Sequence, residues 1–343
     1  MTGRSLRTTC ALCIWIAVAA CAKPAPEARP DAAAVATQAM PQVLPSTAPA
    51  VASATASAAA TDAAAPPSGT PNKEPLAAAK SIGNTSVVYK LTFASGAKAA
   101  FKPRSKRGRE RWRGEIAAYR LATSLGLTQV PPVSFARVDI AELTRVLETT
   151  PGGASGLALL TREVEADADG AVPGALIPWI EDLEVIRLES EPWKSRWRGW
   201  LLNGAEIPAS DRGMAAGIAT MIVFDGVTGN WDRWSGANVG WDKKRSSLLF
   251  IDNDGAFMTP TPRAFAPQAE LVKTMLSFPR GLVGKLRALD EAGLARSVGE
   301  STPGTPLLSA AALHDLDARR RALIEAVDAR VAQSGDAKTF AFE

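Results

Sequence analysis

Cysteine, histidine and aromatic residues are missing from long parts of this 343-residue chain. The three cysteines are Cys10, Cys13 and Cys21, so no disulfide staples the rest of the chain and no thiolate there can bind a metal. Histidine occurs once, as His314. A Ser/His/Asp triad would have to run through that one residue, which sits in a helical pattern near the C-terminus. No apolar run reaches the roughly 20 residues that a membrane-spanning helix needs. The net charge is only +4 and the basic residues are dispersed apart from one cluster, which argues against nucleic acid as a partner. No repeat at a fixed period appears, which removes solenoids and propellers.

Residues 22–75 contain no Phe, Trp or Tyr, and 19 Ala and 10 Pro fill most of the 54 positions. Such a segment cannot bury enough apolar area to offset its ordering entropy. Ten prolines also forbid a continuous Ala-rich helix. Residues 21–75 therefore read as a disordered linker with an r.m.s. span of roughly 40 Å.

Residues 1–20 have the layout of a secretory leader: Arg4 and Arg7, an apolar stretch over residues 11–20, and small residues at its end. Val18-Ala19-Ala20-Cys21 resembles the lipobox of bacterial lipoproteins. That resemblance implies cleavage before Cys21, acylation of its thiol with diacylglycerol and palmitate, and an extracytoplasmic protein anchored to a membrane of the bacterial envelope. Two or three acyl chains anchor stably where one binds only marginally. Ala22 stands where an inner-membrane retention signal would place aspartate, which points to the outer membrane. Ordinary leader cleavage with an incidental Cys21 is the alternative.

Residues 76–343 hold eight of the nine tryptophans and both tyrosines, enough to build a sizeable core. Val87-Val88-Tyr89-Lys90-Leu91-Thr92-Phe93 and Ala99-Ala100-Phe101-Lys102, joined through Ser95-Gly96, read as a β-hairpin. A basic connector follows. Trp112, Glu115, Tyr119 and Ala122 then fall on one helical face that Gly126 ends. Residues 133–138 and 156–164 read as short extended runs. A helix over residues 211–225 leads into a polar-aromatic loop at residues 229–238, and the apolar run Leu248-Leu249-Phe250-Ile251 reads as a strand that delivers Asp252. Trp193, Trp197 and Trp200 read as one packed helical face, and Leu313, Leu316, Leu323, Ile324, Val327 and Val331 as an amphipathic stripe closing the domain.

Lys102 at a strand end, Glu115 on a helix, Asp232 and Asn238 in a loop after a helix, and Asp252 at a strand end stand in an order that suits phosphoryl transfer. That reaction needs a cation on the phosphates, a carboxylate to orient it, divalent-metal ligands and an acceptor for the substrate hydroxyl proton. Each residue also has a plainer reading: Lys102 solvating a strand end, Glu115 paired with Arg111 or Arg120, Asp232 in a loop ion pair with Arg233, and Asn238 capping a turn.

Phe101-Lys102-Pro103, with Gly114-Glu115-Ile116-Ala117-Ala118-Tyr119, is similar to the first lobe of atypical kinases of the HipA and phosphatidylinositol 3-/4-kinase type. Gly229-Asn230-Trp231-Asp232-Arg233 resembles their catalytic loop and that of secretory-pathway kinases related to Golgi casein kinase. Ile251-Asp252-Asn253-Asp254-Gly255 resembles the metal segment of type II phosphatidylinositol 4-kinases. The resemblance implies an α+β, two-lobed protein-kinase-like fold: a small β-rich lobe with one helix at about residues 80–165, and a larger helical lobe at about 166–343. It implies ATP with Mg2+ or Mn2+ as cofactors, Asp232 as catalytic base, Lys102 and Glu115 at the phosphates, and Asn238, Asp252 and Asp254 at the metal. The phosphoryl acceptor would be a hydroxyl of a protein, a lipid or a small molecule. Asn238 lies six positions after Asp232, where the kinase pattern has five. A catalytically inactive pseudokinase or nucleotide-binding module, or a structural envelope lipoprotein, stays open beside the kinase.

Overall fold

The computed structural model describes residues 74–83 and 86–343; the leader, Cys21 and the linker through residue 73 lie outside the described residues. Strands β1 (Leu76–Ser81), β2 (Tyr89–Phe93) and β3 (Lys98–Pro103) form an antiparallel meander in which Tyr89 pairs with Phe101. Helix α1 (Arg111–Ser124), β4 (Ser134–Asp139), α2 (Ile140–Thr149), α3 (Ala154–Glu163) and β5 (Ala171–Pro178) follow. Strand β5 inserts between β3 and β4, giving the antiparallel order β1-β2-β3-β5-β4.

Successive strand side chains point to opposite faces, and this alternation divides the sheet. Tyr89, Leu91, Phe93 and Phe101 face Leu143, Val146, Leu147 and Leu160 of α2 and α3 and make one core. Ala100 and Lys102, out of phase with Phe101, face the cleft between the lobes. Helix α2 starts at Asp139, whose side chain accepts hydrogen bonds from the backbone N–H groups of Ala141 and Glu142.

Residues 156–164, expected to be extended, are mostly helix α3. Gly156 and Leu160, one turn apart, are its buried side, and the Leu, Ala, Arg and Glu residues along it favour helix. The first lobe thus carries α2 and α3 in addition to the one expected helix. Its sheet also takes in β5, beyond residue 165.

The second lobe comprises β6 (Glu184–Val185), α4 (Trp193–Leu202), α5 (Arg212–Thr228), β7 (Val239–Asp242), β8 (Ser247–Phe250), α6 (Ala266–Thr274), α7 (Arg280–Arg287), α8 (Glu291–Val298), the hairpin β9 (Glu300–Thr302) and β10 (Thr305–Pro306), α9 (Ala310–Ser334) and α10 (Asp336–Thr339). Strands β6, β7 and β8 form a small antiparallel sheet. Helix α5 is buried without interruption from Ile218 to Thr228, as a helix apolar on all sides must be. Leu316, Leu323 and Val327 of α9 pack in the same core. Trp197 and Trp200 are buried, and Trp197 stacks on Trp234 with ring centroids 5.0 Å apart. Helix α1 packs with this second core through Trp112, Ile116 and Leu121, so it bridges the lobes. Among the described residues no helix is long and apolar enough to cross a membrane.

Candidate active site

Lys102 is the penultimate residue of β3 and is 7% exposed; Glu115, in the second turn of α1, is 1% exposed. The Lys102 ammonium meets the Glu115 Oε1 and Asp252 Oδ1 atoms and lies 3.4 Å from Asp254 Oδ2. Burial works against the Lys102 charge, but Glu115, Asp252 and Asp254 outweigh it and hold its pKa above the ordinary lysine value. One ammonium cannot neutralise three carboxylates equally. Burial, with Asp252 and Asp254 nearby, keeps the Glu115 pKa raised against the pull of Lys102. Asp252 is also pushed up by burial, yet Lys102, Arg111 and Arg233 bring it below the usual carboxylate range.

Asp252 sits two residues past β8 with φ 56, in the left-handed region, where aspartate is tolerated better than most residues. Asp232 lies in the loop after α5, which ends at Gly229 in the left-handed conformation. Burial, followed by the charge of Asp252, raises the Asp232 pKa. The two loops meet at Gly255: a Cβ there would lie 2.9 Å from Asn230 Oδ1 and 3.0 Å from the Asp232 Cβ. Only glycine lets them approach so closely.

Arg233 binds the two loops together. It is 1% exposed, and its guanidinium donates to Asp225 Oδ2 at 2.8 Å and Oδ1 at 3.1 Å, to the Asn238 and Ile251 carbonyls at 2.5 and 2.6 Å, and to Asn253 Oδ1 at 2.6 Å. Its ion partner is Asp225 of α5, not the adjacent Asp232. Burial raises the Asp225 pKa, and Arg233 opposes that shift. The Asn238 amide nitrogen donates to the Asp232 carbonyl at 2.8 Å and to Ser235 Oγ at 3.2 Å, closing the loop on itself.

Lys102, Glu115, Asp232, Asn238 and Asp252 all line one interlobe cleft of about 890 Å³, with apolar Val88, Val133, Ile177 and Ile251 on its walls. Asp254 stands beside them in contact with Lys102. Cys21 lies outside the described residues. His314 does not line the cleft; it lies 3.6 Å from Glu291 on an exposed face of α9.

Two partners were not foreseen. Asp225 is a carboxylate inside an otherwise apolar helix, which was itself the signal that a buried cation must meet it. Arg111, one turn before Glu115, pairs with Asp254 and not with Glu115.

Glu115, Asp252 and Asp254 each offer a carboxylate oxygen, and these atoms lie within 4.8 Å of one another. Clustered hard oxygen donors suit Mg2+ or Mn2+, so the residues fit the metal that the resemblance implies.

The architecture is kinase-like. It is similar to that of the Golgi casein kinase with Mn and ADP bound, at 16% identity over 78% of this chain and 76% of that one, with a TM-score of 0.61. A second Golgi casein kinase structure gives a TM-score of 0.57 at 16% identity and the same coverage. The structure of hydra Fam20 with sugar gives 0.55 at 17% identity, over 78% of this chain and 88% of that one. At these identities the likeness is one of fold. No family model matches the sequence, and no curated protein matches it.

Proposed function

We propose that this protein is an ATP-dependent phosphotransferase of the atypical kinase type, held outside the cytoplasm by a lipid on Cys21, that phosphorylates a hydroxyl of a protein, lipid or small molecule. One observation carries the reading: Lys102, Glu115, Asp232 and Asp252, up to 150 positions apart, meet in a single cleft.

In this reading Lys102 holds the phosphates and Glu115 orients Lys102. Asp252 and Asp254, with Glu115 beside them and Asn238 across the loop, would hold a divalent cation. The bound metal would neutralise charge on the transferring phosphoryl group. Asp232 takes the proton of the acceptor hydroxyl as its oxygen bonds to the γ-phosphorus and the bond from that phosphorus to ADP breaks. Its raised pKa suits a general base, provided the carboxyl is ionised. The apolar wall of Val88, Val133, Ile177 and Ile251 suits a nucleobase.

The test is ATP turnover by the purified protein with Mg2+ or Mn2+. Asp232→Ala should abolish transfer and keep nucleotide binding, while Asp252→Ala should lose metal-dependent binding as well. A folded protein that neither binds nor consumes ATP with either metal ends the proposal. A second reading, a module that binds nucleotide without transferring phosphate, is favoured by the spacing of Asn238, six positions after Asp232 where the kinase pattern has five. Stabilisation by ATP without turnover would select it.

A further inference from the structure

We infer that Arg111 is a second phosphate-binding residue of the cleft, one that reads the terminal phosphate of a nucleoside triphosphate and is held on Asp254 until a divalent cation takes that carboxylate. The inference rests on the nucleotide reading above and deepens it.

Arg111 opens α1, four residues before Glu115, so the two share a helix face about one turn apart. Its Nη2 meets Asp254 Oδ1, and its Nε donates to the Asp254 carbonyl at 3.1 Å. The two partners differ in exposure: the Arg111 side chain is 31% exposed and lines the cleft, whereas the Asp254 side chain is 8% exposed. Asp254 therefore has two claims on it, the arginine and the oxygen cluster with Glu115 and Asp252. Were a cation to take that carboxylate, the guanidinium would keep its carbonyl contact as a pivot and present its remaining donors to the cleft. A guanidinium has five N–H donors in a fork that matches phosphate oxygens.

Position selects the phosphate. Lys102 is fixed against Glu115, and Arg111 is displaced by a helical turn from that pair. Arg111 lines the same cleft as Asp232 and Asp252. The Trp231 ring, 5.9 Å from the guanidinium carbon and adjacent in sequence to Asp232, gives the arginine a face to rest on at that end of the cleft. With Lys102 on the inner phosphates, a triphosphate would have a terminal group to offer the guanidinium, and a diphosphate would have none.

The experiment is calorimetric binding of ATP and of ADP, each with Mn2+, to the protein and to Arg111→Gln, Arg111→Lys and Arg113→Gln. Arg113 carries the same charge on the same helix but pairs with Glu110 and the Pro306 carbonyl outside the cleft. Arg111→Gln should weaken ATP about tenfold and change ADP by less than about twofold, since a charge-assisted bond to the terminal phosphate is lost. Arg111→Lys should recover part of the ATP affinity, and Arg113→Gln should leave the ATP-to-ADP ratio unchanged. An equal fall for both nucleotides, no fall for either, or the same change from Arg113→Gln would overturn the inference while leaving the nucleotide reading intact. If the unaltered protein binds neither nucleotide with Mn2+, the nucleotide reading fails and the inference fails with it.

Discussion

Arg233→Met removes a side chain that ties the helix before the Asp232 loop, the loop itself and the end of β8 to each other. The guanidinium is buried, and five donor–acceptor contacts disappear with it. Methionine fills much of the volume, so the main cost is the unpaired Asp225 carboxylate inside α5. Breaking a buried pair in this way costs about 3–5 kcal/mol. For a domain of this size that lowers Tm by roughly 10 °C.

The pH dependence has a definite sign. Burial raises the Asp225 pKa, and Arg233 opposes it through charge and hydrogen bonding, with a smaller contribution from Asn230; without Arg233 the carboxyl rises further. A carboxyl whose folded pKa lies above its unfolded value takes up a proton on folding. Its penalty is then full above the raised pKa and fades as pH falls through it. Urea unfolding of the variant should show the deficit at neutral pH and a smaller one at about pH 5. Asp225→Leu combined with Arg233→Met should cost less than the two single changes added together. A loss under about 1 kcal/mol, the scale of a surface pair, would refute the reasoning, as would a deficit that does not change with pH.

Phosphoryl transfer should lose activity on the acid side at a pH above the usual aspartate range, because burial and Asp252 raise the Asp232 pKa and its protonated form cannot accept a proton; a kcat profile against pH checks this. Gly255→Ala places a methyl 2.9 Å from Asn230 Oδ1 and 3.0 Å from the Asp232 Cβ. Overpacking of that kind costs about 1–3 kcal/mol in a thermal melt. Displacing Asp232 should lower kcat by about 100-fold at unchanged expression. Cys21→Ser should move the protein from the membrane fraction to the soluble fraction without altering the unfolding of the domain.

A site distributed over two lobes needs both rigid placement and an opening for what it binds. Rigid placement comes from Arg233 and from the close contact at Gly255. The opening is the cleft itself, whose polar residues come from β3, α1, the loop after α5 and the segment after β8. Helix α1 packs with the second lobe's core while carrying Glu115 to the first lobe's Lys102, so the position of this one helix decides whether the pair forms.

Local pattern accounts for what was legible beforehand. Alternation and the Ser95-Gly96 turn marked the β2–β3 hairpin, the three-and-four spacing marked α1 with Glu115 facing inward, and four apolar residues marked the strand before Asp252. Strand β5 was not legible, because Pro173 and Gly174 in its middle read as breakers. In the sheet Gly174 is required: a Cβ there would lie 2.4 Å from the Lys102 carbonyl and 2.6 Å from the Phe101 ring. Helix α3 was misread because leucines at alternate positions satisfy a strand as well as a helix, and only packing of Leu160 against the sheet chose between them.

By itself, the sequence determined the chemistry available: an Ala- and Pro-rich segment that cannot pack, a domain without thiols, one histidine, and a lysine, carboxylates and an amide in an order suited to phosphates. Which groups meet was decided only by tertiary structure. Arg233 lies next to Asp232 in the chain but bonds to Asp225, and Arg111 sits one turn from Glu115 but bonds to Asp254. The physical reason is that a charge inside a folded protein pairs with whatever the packing of distant elements brings within hydrogen-bond reach, and adjacency along the chain places no such constraint.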